Sequence, residues 1–202
     1  MDVVARVKTP SRTQCYDLLR RYRVPDNIIR HSEIVCNIAL FLAVRLNEDG
    51  ENLDIPDVEA AALLHDIAKM EGIRTGRNHA ESGEEILAHR GFTRVARIVG
   101  EHIRLQEPQG NRSLSEEEIV NYADKRVMHT RVVSLSERFA DLTNRYGNNS
   151  LDKQVVARIR AFESKVHELE RKIFAHLDFA PEELVAEMDK FFERNSTGSY
   201  GG

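Results

Sequence analysis

The stretch Val58–Lys69 reads VEAAALLHDIAK and is apolar around almost its whole circumference. A helix with that pattern is expected in the interior of a protein. It nevertheless carries an imidazole and a carboxylate side by side, at His65 and Asp66. A buried polar group without a partner costs roughly 2–7 kcal/mol. The pair therefore requires a hydrogen bond, an ion pair or a metal ion close by.

The rest of the 202-residue chain carries helix signals throughout and almost no strand signals. Ser, Asn and Pro residues stand at helix starts, and Gly residues stand at helix ends. We predict an all-α helical bundle whose core covers residues 1–147, in which the helix that contains Asp124 continues to about Thr130. C-terminal helices are expected over 148–194, and the Ser/Gly-rich tail 195–202 is expected to be disordered.

An apolar stripe in the C-terminal part has intervals of four and three residues, which is typical of one helix face. Two interpretations follow: a long helix packed along the body of the domain, or a contact between two chains in a homodimer. The stripe consists of Val155, Ile159, Phe162, Val166, Leu169 and Ile173.

The composition of the chain bears on which partners and which cellular location we expect. The net charge is −4 and no basic block occurs, so we expect no nucleic acid as partner. The longest apolar stretches, such as Ile34–Val44, have about half of the roughly 20 residues that a transmembrane helix needs, so we expect no membrane span. Residues 1–12 lack the apolar segment of a signal peptide, and two cysteines do not make a disulfide framework. We predict a cytoplasmic protein.

Partners for the His65-Asp66 pair occur elsewhere in predicted helices or at their ends. His31 and Asp124 have apolar neighbours, His79 opens a helix and His102 closes one. Four imidazoles and two carboxylates form a good ligand set for transition metals.

The order of these residues resembles that of a known family, the HD-domain metal-dependent phosphohydrolases with an HDIG-like core. The resemblance covers about residues 28–130, and an isolated His-Asp dipeptide would not carry it. The matching stretches are Arg30-His31-Ser32, Ala61–Lys69, His79-Ala80-Glu81-Ser82-Gly83, Val99-Gly100-Glu101-His102 and Tyr122-Ala123-Asp124-Lys125.

The resemblance implies a site with two divalent transition metals, drawn from Fe, Mn, Ni, Co and Zn. His31, His65, Asp66 and Asp124 would hold the first ion. Asp66 would bridge to a second ion that His79 and His102 also hold. A hydroxide between the two ions would then attack a phosphate ester or phosphoanhydride of a nucleotide or another small phosphorylated metabolite. Asp66 and Lys69 are the expected catalytic residues.

Substrate contacts are predicted at Lys69, Arg77 and Arg131. Lys69 lies one turn beyond His65, although a solvated lysine at a helix C-terminus is the alternative. Arg131 shares the helical face of Asp124 if that helix persists. The other histidines, namely His89, His129, His167 and His176, are expected to have structural or surface roles.

Three other functions remain open at the level of sequence. One is a symmetrical diadenosine-tetraphosphate hydrolase, which the motif layout resembles. Another is a nucleotide-sensing HD module without catalysis. The last is a metal-dependent oxygenase, because some HD-fold proteins use a two-iron site.

Overall fold

The computed structural model describes residues 8–105, 113–147 and 153–197. Over these residues the chain is helical apart from one short hairpin, which confirms the predicted all-α class. The helices are α1 (Arg12–Arg21), α2 (Asp26–Glu48), α3 (Ile55–Leu64), α4 (Lys69–Thr75), α5 (His79–Ala88), α6 (Thr93–Glu101), α7 (Glu116–Lys125), α8 (Leu135–Leu142), α9 (Lys153–Phe174) and α10 (Leu184–Thr197).

Helix starts follow the side-chain caps that the sequence offers. Ser11, Ser115 and Ser134 each accept a hydrogen bond from a backbone N–H in the first turn of α1, α7 and α8, within a reciprocal capping box. Asn78 accepts from the backbone N–H of Ala80 and so fixes the start of α5 at His79. A local cap thus determines where one of the predicted metal ligands lies.

Helix α2 forms the centre of the bundle. It packs mainly against α3 and α7, and its Val35, Phe41 and Leu42 are fully or almost fully buried. By length and composition alone α2 would be long and apolar enough to cross a membrane, but half of its most apolar window is buried inside the protein. A core helix has the same composition, and the packing against α3 and α7 identifies α2 as one.

The C-terminal helices pack on the same core. Val166 and Ile173 of α9 and Leu184 of α10 are fully buried in the cluster that contains the α2 side chains. The apolar stripe therefore lies along the body of the domain. Helix α10 continues to Thr197, three residues into the predicted tail, and residues 198–202 lie outside the described part.

Two predicted helices end earlier than expected. Helix α3 stops at Leu64, so His65 and Asp66 lie in the turn between α3 and α4. Helix α7 stops at Lys125, and the prediction that it reaches Thr130 is wrong.

A β-hairpin replaces the end of α7. Strands β1 (Val127–Met128) and β2 (Arg131–Val132) pair antiparallel, and the backbone turns at His129 with a φ of 57°. The β-branched valines at the outer pair suit a strand, and the buried Arg126 side chain donates to the carbonyl of Val133 across the hairpin. Arg131 therefore lies on a strand and does not share a helical face with Asp124.

Candidate metal centre

One half of the candidate site is built around Asp124, the penultimate residue of α7. Its Oδ1 lies 3.0 Å from Nε2 of His31 on α2 and 3.6 Å from Nε2 of His65. All three residues are buried. Helices α2 and α7 and the turn after α3 thus bring two imidazoles and a carboxylate oxygen to one point.

The other half is built around Asp66. Its Oδ2 lies 3.4 Å from Nε2 of His65, and its Oδ1 lies 3.3 Å from Nε2 of His79. The ring of His102 lies 5.1 Å from that of His65 and 5.2 Å from that of His79, between centroids. The structure therefore brings all six predicted ligands together, with His65 in the middle.

A close helix approach places His79 in this half. Gly72 of α4 lies against the start of α5, where an added Cβ would come within 3.0 Å of both the Cβ of His79 and the carbonyl oxygen of Arg77. Only glycine fits this contact without a shift of the backbone. The loop before α5 can therefore pass close to α4 and present His79 to Asp66.

Backbone carbonyls orient three of the four imidazoles. Each ring donates from Nδ1 to a carbonyl oxygen, which fixes the tautomer and leaves Nε2 toward the centre of the site. The acceptors are His129 for His31 at 2.9 Å, Ala62 for His65 at 2.8 Å and Val99 for His102 at 2.6 Å. His129, for which no site role is expected from sequence, thus contributes its main chain from the hairpin turn.

The donor atoms fit a metal ion. Nε2 of His65 is buried and has no hydrogen-bond partner. It belongs to two groups whose potential ligand atoms lie within 4.8 Å of one another: His31, His65 and Asp124, and His65, Asp66 and His102. A buried imidazole nitrogen that has no hydrogen-bond partner and faces two carboxylates has the chemistry of a ligand for a divalent transition metal.

Opposing effects set the pKa values of the buried imidazoles. Burial lowers the pKa of both His65 and His102. At His65 the carboxylates of Asp66 and Asp124 outweigh burial and raise the pKa to about 9. At His102 burial prevails and, together with the charge on His65, lowers the pKa to about 3. His102 is therefore ready to bind a metal at neutral pH, whereas His65 must first lose a proton.

Two lysines balance the carboxylates. The ammonium of Lys69 lies 2.6 Å from Oδ2 of Asp66, and that of Lys125 lies 2.5 Å from Oδ2 of Asp124. Burial opposes ionisation of both carboxyls, but the neighbouring imidazoles and ammonium groups hold their pKa values well below the usual range. Both carboxylates are therefore charged at any pH at which a metal could bind.

Lys125 is a site residue that sequence reasoning missed. It is buried, and its ammonium lies 5.7 Å from the centroid of the Phe162 ring on α9. In the sequence it lies within a helix that is expected to reach about Thr130, and no pattern marks it as buried. Its position next to Asp124 was the one available signal, whereas its contact with α9 joins segments that are distant in the chain.

His31 and Asp66 open onto a cleft of about 440 Å³. Lys69 lines this cleft, as do Arg30, Arg138 and Arg145. Sequence reasoning missed all three as cleft residues. Arg138 and Arg145 share no motif with the ligands, whereas Arg30 directly precedes His31 on α2. A larger groove of about 830 Å³ beside α1 holds none of the six ligand residues, so we assign the chemistry to the smaller cleft.

Two of the three predicted substrate contacts do not line the cleft. Arg77 is exposed and donates to the carboxylate of Glu85, and Arg131 is exposed and pairs with Glu137. Their guanidinium groups are paired at the surface, and the structure does not bring them to the cleft, so these two contacts stay predictions. Lys69 does face it, and as the first residue of α4 it is not the helix-terminal surface lysine of the alternative.

Comparison with known proteins assigns the family. The model of the HD domain matches residues 28–128, a range that contains all six ligand residues. The chain belongs to the HD-domain family, which confirms the predicted resemblance.

Several relatives share part of the sequence. A tRNA (cytidine(56)-2'-O)-methyltransferase of Picrophilus torridus is 32% identical over 155 residues, which cover 70% of this chain and 42% of the relative. The enzyme of that name from Thermoplasma volcanium is 38% identical over 95 residues, 46% of this chain and 26% of the relative. The chain thus spans less than half the length of either methyltransferase. An uncharacterized protein of Methanocaldococcus jannaschii is 29% identical over 138 residues, 61% of this chain and 80% of that protein.

One similar crystal structure is that of a predicted HD superfamily hydrolase from an uncultured Thermotogales bacterium. It has a TM-score of 0.47 and 20% sequence identity, and the match covers 82% of this chain and 92% of that chain.

Proposed function

We propose that this protein is a cytoplasmic metal-dependent phosphohydrolase that acts on a nucleotide or another small phosphorylated metabolite. One observation carries the proposal: the Nε2 and carboxylate atoms of His31, His65, Asp66 and Asp124 converge beside a cleft whose wall also carries Lys69. Metal ligands next to a cation in a concave site suit a phosphate group.

The geometry supports two neighbouring sites for ions. His31, His65 and Asp124 would hold one ion, and Asp66, His79 and His102 would hold the other. The two oxygens of Asp66 face different imidazoles, at 3.4 and 3.3 Å, which favours the predicted bridging role. Divalent ions bound there would polarise a phosphoryl oxygen and lower the pKa of a bound water.

Lys69 has the position and charge to bind a phosphoryl oxygen. Burial lowers its pKa, but the carboxylates of Asp66 and Asp124 outweigh burial and raise the pKa above its usual value, so it stays protonated. Its side chain is 38% exposed, on the cleft side of Asp66. Lys69 can therefore orient the phosphate while the carbonyl-bonded imidazoles keep the ligand set rigid.

Two further substrates are candidates besides simple phosphate esters. The first is diadenosine tetraphosphate, because the motif layout resembles that of the hydrolases that cleave it. The two relatives named as tRNA methyltransferases favour a second candidate, in which the site acts on a phosphate carried by RNA. The net charge of −4 makes the RNA candidate the weaker one.

The test measures phosphate release by the full-length protein from p-nitrophenyl phosphate, nucleotides and a tRNA fragment, and formation of ADP from diadenosine tetraphosphate. Each assay is run with Mn²⁺, Co²⁺, Ni²⁺, Fe²⁺ or Zn²⁺. The proposal expects metal-dependent turnover that Asp66→Asn abolishes and His89→Gln preserves, because His89 is exposed and outside the site. If metal-loaded wild-type protein turns over none of these substrates, a nucleotide-sensing module is the better account.

A further inference from the structure

Two arginines that line the cleft have no part in the metal centre. Arg138 lies on α8, and Arg145 lies in the π-helical turn Thr143–Gly147 that follows. Both line the cleft onto which His31 and Asp66 open. The cleft is thus lined by metal ligands and by guanidinium groups.

The two guanidinium groups share one carboxylate. Nη1 of Arg138 lies 3.4 Å from Oδ2 of Asp141, and the guanidinium of Arg145 contacts the same oxygen. Asp141 is thus a shared partner of both guanidinium groups, and both arginines line the cleft. Arginine is the residue best suited to bind phosphate oxygens through paired N–H groups.

Arg138 is held in place without being fully satisfied. Its side chain is only 12% exposed, and its Nε is buried without a hydrogen-bond partner. A buried donor left unpaired is costly. The surface pair of Arg97 with Glu117 offers a contrast, since the side chain of Arg97 is 67% exposed. An exposed ion pair accounts for the position of Arg97. It does not account for Arg138, whose Nε is buried beside the cleft without a hydrogen-bond partner.

Exposed apolar side chains line the same cleft. Met70 and Ile73 of α4 both line it and are 44% and 72% exposed, among the few large apolar side chains described as exposed. Exposed apolar side chains next to cations suit a ligand with an organic part and several negative charges. The cleft volume of about 440 Å³ also falls within the range of small-molecule sites.

We propose that Arg138 and Arg145 form a second phosphate subsite, which selects substrates that carry at least two phosphate groups, such as nucleoside di- and triphosphates. One phosphate lies at the metal ligands, another lies at the arginine pair, and the organic part packs on Met70 and Ile73. The choice of substrate rests on the proposed hydrolase function, whereas the anion subsite itself does not.

The kinetic test compares Arg138→Gln with Arg97→Gln as matched control. With ADP as substrate, Arg138→Gln is expected to lower kcat/KM roughly 10–100-fold, mainly through KM, because a charge-assisted contact to a phosphate remote from the reaction is lost. With p-nitrophenyl phosphate, which has one phosphate, the change should stay within about twofold. Equal losses on both substrates, or no loss on ADP, would overturn the subsite.

A binding measurement separates this inference from the hydrolase proposal. Isothermal titration of the full-length protein as purified uses inorganic tripolyphosphate and inorganic phosphate as probes. Wild type and Arg97→Gln should bind tripolyphosphate, and Arg138→Gln should bind it roughly 10-fold or more weakly. This difference without any turnover would uphold the subsite and reject the hydrolase. Equal tripolyphosphate binding by all three proteins would reject the subsite even if turnover is found.

Discussion

The two carboxylates of the site have similar partners but different surroundings. The lysine beside Asp124, Lys125, is buried with 7% of its side chain exposed. Asp66 lines the cleft, where its lysine, Lys69, is 38% exposed and His79 is 28% exposed. Each carboxylate contacts imidazoles and one ammonium group, but the partners of Asp66 are the more exposed, and His31 is the residue of the Asp124 half that lines the cleft.

This difference indicates a division of labour. In the Asp124 half the lysine is buried and the carbonyl of His129 orients His31, so this half is suited to retain an ion. The Asp66 half has the more exposed partners beside the cleft, so it is suited to chemistry. Substitutions in the two halves should therefore have different effects.

Asp66→Asn should cause the largest loss, since Asp66 contacts both His65 and His79. Replacement of a residue that only orients a metal ligand costs roughly 10–100-fold in activity. Because Asp66 is itself a proposed ligand, we expect kcat/KM on the best substrate to fall by more than that. Metal content should fall at both positions, as measured by elemental analysis beside circular dichroism to confirm folding. A variant that keeps full metal content and activity would remove Asp66 from the centre.

Substitution of the two lysines should have different effects on the free energy of unfolding and on kcat/KM. Lys125→Met leaves a buried carboxylate without its ammonium, and the metal-free protein should lose roughly 3–5 kcal/mol of unfolding free energy. Lys69→Met should cost less than about 1 kcal/mol, because solvent screens a partly exposed pair, but it should lower kcat/KM. Urea unfolding and steady-state kinetics measure the two effects. The division would be wrong if both variants lost stability equally and neither lost activity.

Substitution of a histidine should affect only the ion of the half to which that histidine belongs. His79→Ala should remove the ion of the Asp66 half and leave the other bound, because His79 has no contact with Asp124 among the described residues. His31→Ala should weaken the ion of the Asp124 half. Titration with Mn²⁺ followed by electron paramagnetic resonance counts the bound ions. Loss of both ions in either variant, or retention of both at wild-type affinity in His79→Ala, would contradict two distinguishable positions.

The pH dependence of metal affinity should follow the deprotonation of His65, and this is the smallest of the expected effects. His65 has a pKa of about 9 in the metal-free protein, and a metal ligand must be neutral. Affinity should therefore rise roughly tenfold per pH unit from 7 to 9 and level off above 9, with one proton released at pH 7. His102, with a pKa of about 3, contributes nothing in this window. Calorimetry in buffers of different ionisation enthalpy counts the protons, and zero release at pH 7 would contradict the assignment.

Sequence reasoning found the residues that short patterns identify. The His65-Asp66 pair on an apolar segment, with His31, His79, His102 and Asp124 at helical positions, was enough to predict the fold class, the family and six residues that the structure brings together. These signals are local, since a cap such as Asn78 or the apolar face of α2 determines its own element.

The features that sequence reasoning missed depend on contacts between distant segments. The hairpin at His129 interrupts a helix that propensity alone would extend, and it supplies the carbonyl that orients His31. Lys125 is buried and contacts the Phe162 ring of α9, which is distant in the chain. Arg138 and Arg145 line the cleft, whereas Arg131, which is closer in sequence to Asp124, pairs with Glu137.

The central claim is that metal explains the buried His65-Asp66 pair, and elemental analysis tests it most directly. The full-length protein is purified without chelator and without added metal, and its metal content is compared with that of Asp66→Asn. We predict at least one transition-metal ion per wild-type chain and a marked loss in the variant. A folded wild-type protein that carries no such ion, and takes up none after dialysis against Mn²⁺, Fe²⁺, Co²⁺, Ni²⁺ or Zn²⁺, would contradict the claim.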